Sequence, residues 1–311
     1  MKTKSIPFKS WPILWAILLI AGTLGCKKAD TSTPTPAKPD YQVAIEAKFA
    51  LLNWTKDGYT ASGTVVQTKG KKGWVQYYLS GSNKRAIYYY PGSEAFGFGE
   101  RETQKYDNLG QDTFAGTSND YPLGEPIADV QPCGSGCTFV EFKNGIIINP
   151  QAVPLAGSTS IMLGFTVEVH GAIYAKYKSI GRWTGPLGYP VTDELAGTGS
   201  DATAGLRVTN FVKYESDLSK TANLIWYTPT TGAQALWGPI CKAYRGSQAP
   251  TWLKYPTTSC DPNRADNAQI VSFVGGHMDM SGTCTNFYNS SNRKVFSDGS
   301  VYTTGGFYPC Y

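Results

Sequence analysis

Among its 311 residues the chain has only two histidines, His170 and His277, and four methionines. So few imidazoles leave little room for acid–base or metal chemistry. No G-x-S-x-G, H-E-x-x-H or phosphate-binding loop is present to carry hydrolysis or nucleotide chemistry. Charged residues make up only 16%, which with so little methionine argues against a helical bundle or coiled coil. The apolar run at 11–21 (WPILWAILLIA) falls short of the roughly 20 residues that a spanning helix needs. Basic excess is missing as well. Lys2, Lys4 and Lys9 precede that run, and without them 25 of the 28 basic residues face 23 acidic ones. That balance supplies no basic face for nucleic acid. What the chain does have is 34 Gly, 19 Pro and 20 Tyr within 41% hydrophobic composition. It is therefore a chain able to bury a core, built from short strands and many turns.

Residues 1–25 carry a basic start, the apolar run and Gly25 before Cys26. This segment resembles a bacterial lipoprotein signal, which implies a lipid on Cys26, attachment to a membrane, and, with Lys27 next, an outer-membrane or surface location. Residues 26–39 (CKKADTSTPTPAKP) are rich in Thr and Pro and read as an extended tether. Apart from Cys26, six cysteines remain: Cys133, Cys137, Cys241, Cys260, Cys284 and Cys310. An even number in an exported chain suits disulfides. Clustering in sequence favours Cys133–Cys137, Cys241–Cys260 and Cys284–Cys310. Cys133 and Cys137 could instead be half of a zinc site, but no second cysteine pair or histidine pair completes it.

The remainder, 40–311, is organised by repetition. Apolar residues recur at i, i+4 and i+7 in Ile45, Phe49, Leu52 and in Ile173, Tyr177, Ile180, the spacing of one face of a short helix. Degenerate copies lie at Glu102, Tyr106, Leu109 and at Ile240, Tyr244, Ser247. The aromatic centres, Phe49, Tyr106, Tyr177 and Tyr244, are separated by 57, 71 and 67 residues. After three of these helices comes a bend, LGEP at 123–126, LGYP at 187–190 and LKYP at 253–256. Its glycine takes backbone angles other residues avoid, and its proline drives the preceding residue extended. Asp129, Asp193 and Ser259, three residues past each proline, are placed to bond nearby backbone. Hairpins follow from the β-rich runs at 74–79, 138–143 and 210–214, each followed by an Ile-x-x-x-Pro strand starting at Ile87, Ile146 or Ile225. A final copy falls near Val301, which leaves an insertion near 260–295. The expected fold is a β-rich α+β chain of about four tandem repeats. Each is a short helix, a Gly-Pro bend and a hairpin, and units of about 65 residues must stack to share a core. The helix at Ile45 lacks a preceding hairpin and the last hairpin lacks a following helix, so the units are expected to close into a small pseudo-symmetric, propeller-like ring.

The stretch 185–194 (GPLGYPVTDE), with 171–174 (GAIY) and 237–240 (WGPI), resembles the LGFP repeat of cell-envelope proteins. The resemblance spans roughly residues 42–304. It implies pseudo-rotational symmetry and a non-catalytic role in attachment to cell-wall glycan.

Catalytic candidates are few. His170 precedes a repeat helix, in a slot aligned with Phe98 and Trp237, and reads as packing or capping. His277 and Asp279 would share a face on a strand and could orient a water or part of a metal site, which makes a wall hydrolase the alternative function. No third ligand is evident, and no cofactor or metal is expected. Asp193 and Glu194 are adjacent, poorly placed to flank a glycosidic bond. Sugar binding by aromatic faces is the preferred reading, through Trp183, Tyr189, Trp226, Tyr227, Trp237, Trp252 and Tyr255, with Trp183 and Trp252 the most exposed. A monomer bound to cell-wall glycan, or else a structural lipoprotein docking a protein partner, completes the expectations.

Overall fold

Each bend and each polar turn ends one element and starts the next, so the chain is cut into short helices and strands. The computed structural model describes residues 37–113, 123–134, 136–150, 165–197, 204–213, 223–265, 268–282, 284–297 and 299–300. The signal, Cys26, most of the tether, Cys310 and the hairpin expected near Val301 lie outside the described residues. Lys38–Tyr311 is one structural unit. Among the described residues no helix is long and apolar enough to cross a membrane.

The strands form four antiparallel sheets in chain order. The first holds β1 (Thr60–Gln67), β2 (Trp74–Ser80), β3 (Asn83–Tyr89) and β4 (Ala95–Phe98), and the second β5 (Gln131–Gly134), β6 (Cys137–Phe142), β7 (Gly145–Pro150) and β8 (Val167–His170). The third has β9 (Tyr189–Pro190), β10 (Leu195–Ala196), β11 (Arg207–Val212), β12 (Asn223–Thr228) and β13 (Gly232–Leu236). The fourth has β14 (Ile270–Phe273), β15 (Gly276–Ser281), β16 (Cys284–Asn289) and β17 (Lys294–Val295). The three expected hairpins are present as β2–β3, β6–β7 and β11–β12. Residues 260–295, read from the sequence as an insertion, are themselves largely sheet. They contain the fourth sheet, in which β14 and β15 take the hairpin positions of the repeat.

Helices α1 (Asp40–Leu52), α2 (Glu100–Leu109), α3 (Gly171–Ser179) and α4 (Gly238–Arg245) carry the four aromatic centres, and a short α5 (Ala249–Leu253) leads into the third bend. Every centre lies on an aromatic of the sheet that follows it. Phe49 stacks on Tyr78 at 4.2 Å, Tyr106 meets Phe142 at 5.1 Å, Tyr177 meets Phe211 at 4.9 Å, and Tyr244 meets Phe273 at 5.0 Å. Such pairs add about 0.5–1.5 kcal/mol beyond the area they bury. Helices also sit between consecutive sheets: α2 contacts β3 and β7, α3 contacts β8 and β12, and α4 contacts β12 and β15. The shared core is what no single unit could supply.

The bend is built the same way three times. Leu123, Leu187 and Leu253 are buried, and Pro126, Pro190 and Pro256 pair with Phe142, Phe211 and Phe273. Its second residue has positive φ in all three, +79° at Gly124, +75° at Gly188 and +59° at Lys254. At Gly188 a Cβ would also lie 2.1 Å from the Val212 carbonyl oxygen. The helix tyrosine then fastens the bend: Tyr177 Oη donates to the Gly188 carbonyl at 2.7 Å and Tyr244 Oη to the Lys254 carbonyl at 2.5 Å.

Past the bend, the polar residues singled out in the sequence join one sheet to the next. Asp129 accepts the Gly97 N–H at 2.7 Å, Asp193 the Glu168 N–H at 2.9 Å, and Ser259 Oγ the Ala235 N–H at 3.0 Å. Each donor lies two residues before the N-cap of the intervening helix, Gly99, His170 or Trp237. In two junctions the bond is returned, by Val130 N–H to the Gly97 carbonyl at 2.8 Å and Cys260 N–H to the Ala235 carbonyl at 2.9 Å. Lys48 of α1 pairs with Asp129, and Lys105 of α2 with Asp193.

Cys133 and Cys137 form a disulfide. Cys284 is disulfide-bonded too. Cys241 and Cys260, expected as a pair, lie buried in one core cluster, and the Cys260 Sγ points to the Trp237 carbonyl oxygen at 3.9 Å.

Candidate functional site

Three junctions between successive sheets are built from equivalent positions, and their side chains decide whether each is open or filled. The positions are the helix N-cap, the third residue after it, the residue after the staple, and a cross-strand pair beginning four residues before the sheet phenylalanine. Between the third and fourth sheets these are Trp237, Ile240, Cys260, Gln269 and Met280, all buried. An indole and three other largely apolar side chains occupy those positions around one buried amide.

Between the second and third sheets the same positions are His170, Ile173, Glu194, Arg207 and Tyr227, and the filling is ionic. His170 is fully buried, with Nδ1 2.6 Å from Glu168 Oε2 and Nε2 3.6 Å from Glu194 Oε1. Arg207 donates to Glu194 at 2.6 Å and lies 4.4 Å over the Tyr227 ring. Burial pushes the imidazole of His170 down, but Glu168 and Glu194 outweigh it and hold it above the ordinary histidine range. Burial raises the Glu194 carboxyl, with His170 and Arg207 pulling it back. The slot expected to align His170 with Phe98 is one residue off: the N-cap equivalent of His170 is Gly99.

Between the first and second sheets the positions are Gly99, Glu102, Val130, Thr138 and Asn149. Glycine at the N-cap supplies no side chain, the strand pair is short, and a cavity of about 490 Å³ remains, lined also by Trp54, Arg85, Glu100 and Arg101. That volume lies in the range of about 300–1,000 Å³ typical of small-ligand sites. Glu102 and Asn149 are buried at its floor. Thr138 donates to Glu102, and Asn149 Nδ2 lies 3.5 Å from Thr138 Oγ1. Burial pushes the Glu102 carboxyl up, and the bonds from Thr138, its own backbone N–H and Asn149 draw it part of the way back. The wall is fixed by Tyr59, which donates to Glu100, and by Arg85, held by Asp57 at 3.0 Å and 4.2 Å from the Tyr59 ring. Arg85 also lies 5.4 Å over Trp54, so that indole is a wall of the cavity and not an open stacking face. The site thus offers carboxyl, amide, hydroxyl and guanidinium groups at close quarters.

The expected aromatic residues are not gathered there. Trp237 is buried in the core. Trp183 packs at 4.8 Å on Phe139 beneath Arg182, and Tyr189 donates to the Cys133 carbonyl at 3.1 Å. Trp226 lies 6.2 Å from Tyr255 near the third-to-fourth junction, and Tyr227 is covered by Arg207. Trp252 was expected among the most exposed. It is half-buried, its Nε1 donating to the Ser297 carbonyl at 3.0 Å, with Gly299 against its ring. These aromatics are mainly mortar between elements, as their recurrence beside shared bends and hairpins requires.

His277 and Asp279 share a face of β15, as expected, and the His277 ring stacks on Tyr288 at 4.3 Å. Burial holds the His277 imidazole below its ordinary range, with Asp279 opposing. Among the described residues no group of three metal-ligating side chains occurs. Asp193 and Glu194 diverge: one staples a strand, the other joins the buried ionic cluster.

Residues 187–251, from the second bend through the third sheet and α4 into α5, match the family model of the LGFP repeat. No curated protein matches the chain.

Proposed function

We propose that this chain is a non-catalytic binding protein of the cell envelope that holds cell-wall polysaccharide or peptidoglycan in the cleft between its first and second sheets. The single observation that carries the reading is the contrast among equivalent junctions: one is filled by an indole, one by an ion cluster, and one is left open by Gly99 and lined with hydrogen-bonding groups. Carboxyl, amide and guanidinium groups at fixed spacing suit the hydroxyls of a sugar, which needs no titrating catalyst. The LGFP match supports an envelope setting, and a lipid on Cys26 would tether the module to a membrane. In the same reading the four sheets form a pseudo-symmetric, propeller-like ring, with α1 standing to the first sheet as α2, α3 and α4 stand to the sheets that follow them.

The test is sedimentation of the Lys38–Tyr311 unit with isolated cell wall. Wild type is expected in the pellet, and an Arg101→Ala, Asn149→Ala variant is expected to lose at least tenfold in affinity. Trp183→Ala and Trp252→Ala, outside the cleft, are expected to bind as wild type does. A wild-type unit that stays in the supernatant sinks the proposal.

A further inference from the structure

The cleft does not end at its own walls. A second cavity of about 480 Å³, lined by Ser82, Asn83, Lys84, Glu100, Arg101, Gln104 and Asn108, shares Glu100 and Arg101 with the first. Arg101, Gln104 and Asn108 stand at i, i+3 and i+7 of α2, along one exposed face of the helix. That stripe runs beside the β2–β3 turn at Ser82 and Asn83.

Every side chain of the second cavity can hydrogen-bond, and none is a large apolar group to grip an acyl chain or an apolar peptide. Charges nearly cancel along both cavities. Arg85 is held by Asp57, Lys84 by Asp107 at 2.7 Å, and Glu100 stands beside Arg101. A groove of this kind has no field to collect a polyanion. It also presents side chains and not a strand edge, so an extended peptide gains no backbone ladder there.

On the reading that the cleft binds glycan, we infer that its ligand is an uncharged glycan chain of at least two sugar units, running from Glu102 and Asn149 at the deep end past Arg101 and out along Gln104 and Asn108. Two subsites on one rigid helix make chain length the selected property, because a second unit binds with its neighbour already in place. A terminal single sugar fills only the deep half.

Fragments released from isolated cell wall and separated by length are the probe, competed against binding of the wall to the Lys38–Tyr311 unit. Fragments of two or more units are expected to compete at least tenfold better than single sugars. The Gln104→Ala, Asn108→Ala variant, both residues being exposed, is expected to keep the wild-type melting temperature and the single-sugar affinity while losing the gain with length. Single sugars that compete as well as longer fragments, or a double variant equal to wild type at every length, overturn the two-subsite chain. Failure of fragments of every length to compete removes the glycan reading itself, and this inference with it.

Discussion

Cutting one staple between sheets should cost what a charge-assisted hydrogen bond is worth, and the three staples should rank by charge. Asp129 accepts the Gly97 N–H at 2.7 Å and pairs with Lys48 at 3.0 Å, the two side chains being 31% and 10% exposed. Asp129→Ala leaves that N–H without its acceptor and a largely buried ammonium without its partner, a loss of about 1.5–3 kcal/mol. Asp193→Ala removes the Glu168 bond and both contacts to Lys105, at 2.6 and 2.7 Å, and falls in the same range. Ser259→Ala removes two neutral bonds, from the Ala235 N–H and to Gln234 Oε1 at 2.9 Å, about 0.5–1.5 kcal/mol for each, and should stay below the aspartates because it strands no charge. Asp129→Asn separates the contributions, since the amide oxygen still accepts from Gly97 while the charge for Lys48 is gone. Its cost should lie between those of wild type and Asp129→Ala. Urea denaturation at constant m-value reads the series, and about 2 kcal/mol corresponds to roughly 4–8 °C in melting temperature for a body of this size. Equal costs at Asp129, Asp193 and Ser259, or costs below about 0.5 kcal/mol at both aspartates, would refute the view that these residues bind sheet to sheet.

The remaining predictions concern the filled junction, the bend and the acid limb. His170→Leu places an apolar group between Glu168 and Glu194 and should cost about 3–5 kcal/mol in a denaturant titration, as breaking a buried ion pair does; a loss under about 1 kcal/mol contradicts it. Because the folded-state pKa of His170 is raised, its stabilisation is full below the ordinary imidazole value and fades as pH rises through the folded value. Melting temperature should therefore fall on that limb, and His170→Leu should flatten it. Lys254 holds φ +59° and ψ −129° in a slot where the other bends have glycine. Lys254→Gly should stabilise by about 1 kcal/mol through relief of that strain, while Gly188→Ala should destabilise by more. Burial opposes ionisation of Asp107, but Lys84, Gln111 and Tyr77 hold it below its ordinary range. Its stabilisation is present above the ordinary carboxylate value and lost as pH falls through the folded value, so Asp107→Asn should shrink the acid loss seen in pH-dependent unfolding.

The repeated module was legible because its physics is local. Helical spacing, a bend that needs positive φ, and a proline that stops a helix are written within a few residues of one another. Leu187, Gly188 and Pro190 therefore announced a structure that recurs at Leu123 and Leu253. Outer strands such as β4 and β13 were not legible, since what makes them strands is the neighbour they pair with. The fourth sheet was hidden for a similar reason: Gly276 and His277 lack the Ile-x-x-x-Pro mark, and their strand is set by pairing with Val271–Phe273 and Thr285–Tyr288. The candidate cleft is not legible in a search for exposed aromatics, because its lining is mostly polar and its one indole, Trp54, is buried beneath Arg85. Its signal is an absence, Gly99 where the other N-caps are His170 and Trp237.

Filling that absence is the most direct test. Gly99 has φ −67° and ψ 175°, angles open to any residue, and a Cβ there would meet the Glu102 Oε2 at 2.5 Å. Gly99→Trp combined with Glu102→Ile gives the first junction the residues of the closed one, Trp237 and Ile240. Binding of this double variant to isolated cell wall, measured beside its melting temperature, should fall at least tenfold while the fold holds. Wall binding equal to wild type in a folded double variant would contradict the claim that the open junction is the site.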